Sequence, residues 1–133
     1  MTVSVGYLLL YVPDVPATLE FYTEAFGFEV RFVTDEGDYG ELNTGAVTLG
    51  FVSHELARSN LDDAGGFTAL DAGPSPVGSV VTLVTDDVPA GVAAAEAAGA
   101  TRYTDPAVKP WGQTVAYLVD PNGALIELAT PMG

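Results

Sequence analysis

At 133 residues, with 48% hydrophobic and 17% charged side chains, the chain has the size and apolar content of one self-supporting domain, which excludes intrinsic disorder. Four basic residues against 18 acidic ones leave a formal charge of −14, which repels phosphate backbones and anionic headgroups and so excludes nucleic acid and membrane surfaces as partners. Zero cysteines remove disulfides, thiolate nucleophiles and thiolate metal sites; no apolar run approaches the roughly 18 residues of a membrane span, and no basic leader precedes Val3, so a cytoplasmic location is the expectation.

Val3 to Val12 is apolar and β-favouring and predicts a strand that stops at Pro13-Asp14. From Ala17, the residues Leu19, Phe21, Tyr22 and Phe26 recur at helical spacing, with Asp14 or a neighbour capping the start and Gly27 closing the end. Phe21, Tyr22 and Phe26, with Phe28 at the helix exit, are expected in the core. Short strands follow over Phe28 to Val33, Tyr39 to Asn43 and Ala46 to Val52, parted by the turn-forming Asp35-Glu36-Gly37-Asp38 and Thr44-Gly45. Residues 53–77 are rich in Gly, Asp, Ser and Pro and read as a linker or a lid. Beyond them the plan returns: a strand over Ser79 to Thr85, an alanine-rich helix over Pro89 to Ala98 ended by Gly99, and strands over Thr101 to Thr104, Thr114 to Val119 and Ala124 to Ala129.

The order of elements thus predicts an α+β chain of two βαβββ modules, 1–52 and 78–133, joined by the 53–77 connection. Two short matches support the repeat. Asp14-Val15-Pro16-Ala17 returns 73 positions later as Asp87-Val88-Pro89-Ala90, and Gly45-Ala46-Val47-Thr48-Leu49 answers Gly123-Ala124-Leu125-Ile126-Glu127 at an offset of 78.

The segments Tyr11-Val12-Pro13-Asp14, Glu20-Phe21-Tyr22, Phe26-Gly27-Phe28, Pro110-Trp111-Gly112-Gln113, Val119-Asp120-Pro121-Asn122-Gly123 and Ile126-Glu127-Leu128, in this order, resemble the vicinal oxygen chelate superfamily of glyoxalase I, extradiol dioxygenases and bleomycin-resistance proteins. The resemblance covers nearly the whole chain. It implies a curved mixed sheet forming a cup that holds a small molecule, usually within a homodimer. Metal-dependent members bind one divalent ion through a residue on the first and last strand of each module. Those positions are placed here on Tyr7, Leu49, Val80 and Glu127, a phenol, two hydrocarbons and one acid, so neither a metal nor another cofactor is expected.

Strand alternation, anchored on those four positions, turns Tyr7, Leu9, Tyr11, Val47, Leu49, Phe51, Val80, Thr82, Val84, Leu125, Glu127 and Ala129 into the cup. Phe32 and Tyr39 are placed at its rim. In the resistance members the tryptophan of a similar Pro-Trp-Gly segment contacts the drug, which implies the same for Trp111. Glu127, an acid on an apolar face, needs a partner: Tyr7, Gln113 or a group of the ligand. The predicted ligand site is therefore Tyr7, Leu9, Tyr11, Phe32, Tyr39, Leu49, Phe51, Val80, Thr82, Trp111, Gln113 and Glu127, with no catalytic or metal residue. His54, the one histidine, stands alone in the connection, and neither a nucleophilic triad nor a phosphate loop can be assembled. The expected function is sequestration of an aromatic antibiotic or toxic metabolite, neutral or cationic. The alternative is a glyoxalase-type lyase, isomerase or dioxygenase, either with Glu127 as base or through metal ligands placed elsewhere.

Overall fold

The computed structural model describes residues 1–132, which fall into two compact units, one of residues 1–23 with 27–69 and one of 24–26 with residues from 70 onward. The first unit holds β1 (Tyr7–Val12), α1 (Val15–Phe26), β2 (Val30–Val33), β3 (Tyr39–Leu42), β4 (Thr48–Ser53) and α2 (His54–Leu61), followed by a 3-10 turn over Asp62–Ala64. Its sheet runs β1-β4-β3-β2, with β1 parallel to β4 and the other pairs antiparallel. Residues 3–6, expected in the first strand, lie outside it. Among the described residues β1 pairs with β4 alone, which begins at Thr48, opposite Tyr7, so the preceding residues have no ladder to join.

The Asp14 carboxylate accepts a hydrogen bond from the Ala17 N–H at 3.0 Å and fixes the start of α1, whose first turn carries a proline. Val15, Leu19 and Tyr22 then share one helical face, which lies on the sheet. A Cβ at Gly40 would come within 2.7 Å of Leu19 and 3.2 Å of Val15, so only glycine at this point of β3 lets the helix sit so close. Tyr22 stacks on Phe51 with ring centroids 5.2 Å apart, and Leu42 and Leu49 are buried in the same layer.

α2 is a helix where the sequence suggested a linker or lid. The Ser53 hydroxyl accepts from the Leu56 N–H at 3.0 Å, Glu55 occupies the first turn, Arg58 the last, and Ala57 is buried beside β4 and β1. The first part of the connection therefore belongs to the first unit.

The second unit repeats the topology with β5 (Val80–Val84), α3 (Val88–Ala98), β6 (Thr101–Arg102), β7 (Ala107–Val108), β8 (Thr114–Val119) and β9 (Leu125–Ala129). Its sheet runs β5-β9-β8-β6, with β5 parallel to β9, and β7 pairs with the other end of β8. Asp87 caps α3 as Asp14 caps α1. Val88, Val92 and Ala95 are buried, and Gly91 lies against Leu128. The turn before β9 is tied by Asp120, a buried carboxylate that accepts from the Asn122 and Ala124 N–H groups at 2.9 Å each. Among the described residues no helix is long and apolar enough to cross a membrane.

The shared topology bears out the α+β reading and corrects the register of its repeat. Tyr7 pairs with Thr48 and Val80 with Leu125, so the last strands of the two halves correspond at an offset of 77 rather than 78. The turn into β9 is one residue longer than the turn into β4. Aligning the glycines of those turns therefore displaced the first half by one position, and in a strand one position reverses every side chain.

Candidate functional site

In each unit one face of the sheet is covered by its helix and the other is open. On the first sheet, Phe51 and Leu49 face α1, opposite to the expectation, because Phe51 stacks on Tyr22 and both residues are buried. Val47 precedes β4 in an exposed turn, where its carbonyl accepts from the Thr44 hydroxyl. The open face instead carries Tyr7, Leu9 and Tyr11 on β1, Thr48, Gly50 and Val52 on β4, Tyr39 and Glu41 on β3, and Phe32 on β2. Five of the predicted ligand residues, Tyr7, Leu9, Tyr11, Phe32 and Tyr39, thus share one surface. The rings of Phe32 and Tyr39 stand 5.7 Å apart.

A polar cluster that the sequence reading missed lies in this apolar field. Glu41 is only 7% exposed. Its Oε2 accepts from the Tyr39 hydroxyl at 2.5 Å, and Arg31 Nη1 lies 3.8 Å from its Oε1 while donating to the Thr48 hydroxyl at 3.1 Å. Arg31 arrives there through a bulge: Val30 pairs with Leu42 and Phe32 with Glu41, so Arg31 is an extra residue in β2 whose side chain turns toward Glu41. The one available signal was the Tyr39-x-Glu41 spacing, which puts a phenol and a carboxylate side by side on any strand.

On the second sheet the open face carries three cross-strand rows as expected, Val80 with Leu125, Thr82 with Glu127 and Val84 with Ala129. Glu127 is paired within its own sheet. Its Oε1 accepts from the Thr82 hydroxyl and its Oε2 from the Tyr117 hydroxyl, both at 2.7 Å. Gln113 is not its partner: that side chain accepts from the Trp111 indole N–H and donates to the Thr130 carbonyl, each at 2.7 Å. This relay holds the indole in place while it stays 61% exposed on the turn between β7 and β8.

Burial and the Glu41 carboxylate keep the Tyr39 phenol protonated well above its ordinary value, and the bond to Glu127, aided by burial, does the same for Tyr117. Both phenols are neutral donors at any physiological pH. Because the folded values are raised, the stability these bonds carry is complete below about pH 10, the unfolded tyrosine value, and is lost as pH climbs through the folded values. Denaturation followed from pH 9 to 12 should show falling stability that Tyr39→Phe combined with Tyr117→Phe flattens; an unchanged slope in the double variant contradicts these assignments.

The divalent ion implied by the resemblance does not fit. With the register corrected, its four positions are Tyr7, Gly50, Val80 and Glu127. Gly50 supplies no donor, and a Cβ there would meet Leu9 at 2.8 Å and the Tyr39 hydroxyl at 3.4 Å, so the space for a ligand side chain is already filled. Glu127 is the one strong donor, and both its oxygens are engaged. Among the described residues no group of three or more His, Asp or Glu side chains could hold an ion. A separate hollow of about 540 Å³ in the first unit, lined by Asp14, Glu36, Asp38 and Glu55 near the start of α1, is built from capping and turn residues and carries no aromatic side chain.

Two βαβββ modules, each a mixed sheet with one helix-covered face, define the class of protein. The family model of the Glyoxalase/Bleomycin resistance protein/Dioxygenase superfamily matches residues 4–128, and the chain belongs to that family. Among solved structures it is similar to a glyoxalase-related enzyme from Fulvimarina pelagi, with a TM-score of 0.79 at 20% identity over 98% of this chain and 89% of that one. A family enzyme from Burkholderia phytofirmans PsJN gives a TM-score of 0.76 at 22% identity, over 96% of this chain and 98% of that one. An integron cassette protein from the mobile metagenome of V. cholerae gives 0.62 at 26% identity, over 98% and 97%. The first two likenesses establish the fold alone. No curated protein matches the chain significantly.

Proposed function

We propose that the chain is a small-molecule binding protein whose open sheet faces take a flat, apolar guest with a cationic or hydrogen-bond-donating group, without a resident metal. The observation that carries this reading is the make-up of the two faces: exposed aromatic and aliphatic side chains around one internally paired carboxylate each, Glu41 and Glu127. Tyr7, Phe32 and Leu9 offer dispersion and stacking surface. Each carboxylate is already oriented by hydroxyl donors and keeps acceptor capacity for a guest, since a carboxylate has about four lone-pair sites. The net charge of −14 favours the approach of a cation. Trp111, fixed by Gln113, adds a further exposed indole.

Three flat probes of similar size test the reading: 9-aminoacridine as cation, 2-naphthol as neutral donor and 2-naphthoate as anion. Melting temperature should rise with the first two, by about 8–12 °C at a hundredfold excess over Kd, and not with the third. Glu41→Gln and Glu127→Gln should each weaken the cation several-fold and leave the neutral probe within about twofold. An anion that binds as well as the cation, or a probe recovered chemically changed after incubation, overturns the proposal, the second outcome in favour of a glyoxalase-type enzyme. The edge strands β1, β2 and β5 and the exposed Val30 and Val33 on β2 further suggest a homodimer, so light scattering should give twice 13.7 kDa, and a monomer mass contradicts it.

A further inference from the structure

At the far end of β1 the open face of the first sheet is occupied by a piece of the chain itself. Phe67, in the connection after α2, lies edge-on to Tyr11 with ring centroids 4.9 Å apart and 5.4 Å from the His54 imidazole. The Arg58 guanidinium stands over the Phe67 ring at 5.2 Å from its centroid. One aromatic side chain is thus held by an edge contact, an imidazole and a cation on its face, the set of contacts with which proteins hold aromatic ligands.

Two features set this contact apart from ordinary core packing. The Nε2 of His54 is buried without a hydrogen-bond partner among the described residues, although a ring nitrogen is a strong donor or acceptor. The Phe67 side chain has no polar atom to offer it. The ring also sits on a lightly packed segment: of residues 62–68 all but Gly66 and Phe67 are exposed. Gly65 and Gly66 have φ of +101° and +77°, backbone that glycine adopts freely and other residues rarely do. A short exposed segment with paired glycines and a single anchoring side chain opens at low cost.

We propose that Phe67 is an internal stand-in for a hydroxylated aromatic ligand: a phenolic ring takes its place among Tyr11, His54 and Arg58, and its hydroxyl hydrogen-bonds to the Nε2 of His54. The exchange is favoured in two ways. A phenol is more electron-rich than the phenylalanine ring, which strengthens the attraction to Arg58, and its hydroxyl satisfies the nitrogen that Phe67 leaves unmatched. It is opposed by the tether, which keeps Phe67 beside the cradle at high effective concentration. This inference rests on the reading that the open face of the first sheet receives the guest, and adds which chemical group lies at its β1 end.

His54 is the one histidine of the chain, so its Hε1 proton gives a single reporter signal. The intact chain and Phe67→Ala are titrated with p-cresol and with toluene, and His54 and the aromatic resonances are followed by NMR. In the intact chain p-cresol should shift His54 Hε1 saturably and move the Phe67 ring signals toward their exposed positions. Phe67→Ala should bind p-cresol at least about tenfold tighter, because the internal competitor is gone. Toluene should bind about fivefold more weakly than p-cresol, the worth of one hydrogen bond. Equal binding of toluene and p-cresol overturns the role of Nε2, and p-cresol that leaves His54 unmoved overturns the proposal. If the Tyr7 and Phe32 signals still respond in that case, the open-face reading survives; if nothing responds, both fall. Should Phe67→Ala not fold, the titrations of the intact chain decide alone.

Discussion

Phe51→Ala should destabilise the chain by about 3–5 kcal/mol, because it empties a fully buried position in the first unit. The ring has no exposed surface and stacks on Tyr22, so its removal deprives α1 of an aromatic contact with the sheet. In a chain of this size such a loss lowers the melting temperature by more than 10 °C. The size of the effect also separates the two faces of β4. Had Phe51 lined an open ligand surface, truncation would cost little stability and much affinity. The expected outcome is the reverse, with 9-aminoacridine affinity nearly unchanged in whatever fraction remains folded. Chemical denaturation with parallel probe binding checks both, and a Phe51→Ala chain of wild-type stability contradicts the register described above.

Glu41→Ala should cost about 2–3 kcal/mol, whereas Glu41→Gln should cost about 1 kcal/mol or less. The alanine variant leaves the half-buried Tyr39 hydroxyl without its acceptor. Glutamine keeps an oxygen there. The contribution of Arg31 to this difference is small, since its side chain is half exposed and stands 3.8 Å away, and a pair so placed is worth little in water. The same substitution changes the phenol: without the carboxylate charge, Tyr39 ionises at lower pH, visible as phenolate absorbance appearing earlier in a titration of Glu41→Gln. Equal stability of the alanine and glutamine variants contradicts the hydrogen bond as the source of the effect.

Much of the fold was legible because it rests on local signals. The Asp-Val-Pro-Ala pairs mark both helix starts, since a capping aspartate and a first-turn proline have the same physical use wherever they occur, and Asp120-Pro121-Asn122-Gly123 marks a turn for similar reasons. α2 is hidden in the sequence because residues 53–77, taken together, have the composition of a loop. The glycines and prolines that dominate it begin at Gly65, after a stretch with a serine cap, Glu55 early and Arg58 late. The site was half legible. On β1 and β5 the inward residues follow from alternation alone. On β4 they depend on a turn length that differs by one residue between the halves, and that difference exchanged Leu49 and Phe51 for Gly50. Arg31 was out of reach, because a bulge decides its direction and β2 carries no glycine or proline to announce one.

The corrected register deepens the case against a resident ion. A leucine at the β4 position merely lacks a donor; Gly50 lacks both a donor and the room for one. The acid of the first sheet has moved to the neighbouring strand as Glu41, where it is held by a phenol and an arginine rather than left open to coordinate. Both carboxylates of the open faces are thus dressed for hydrogen bonding.

The most direct measurement is calorimetric titration of EDTA-treated protein, first with 9-aminoacridine and then, on a fresh sample, with Ni²⁺, Zn²⁺ and Mn²⁺ in turn. Saturable binding of the aromatic cation, unchanged by added metal, together with no saturable heat from any of the ions, is the predicted result. One ion bound per chain with micromolar or tighter affinity, and lost in Glu127→Gln, would contradict it.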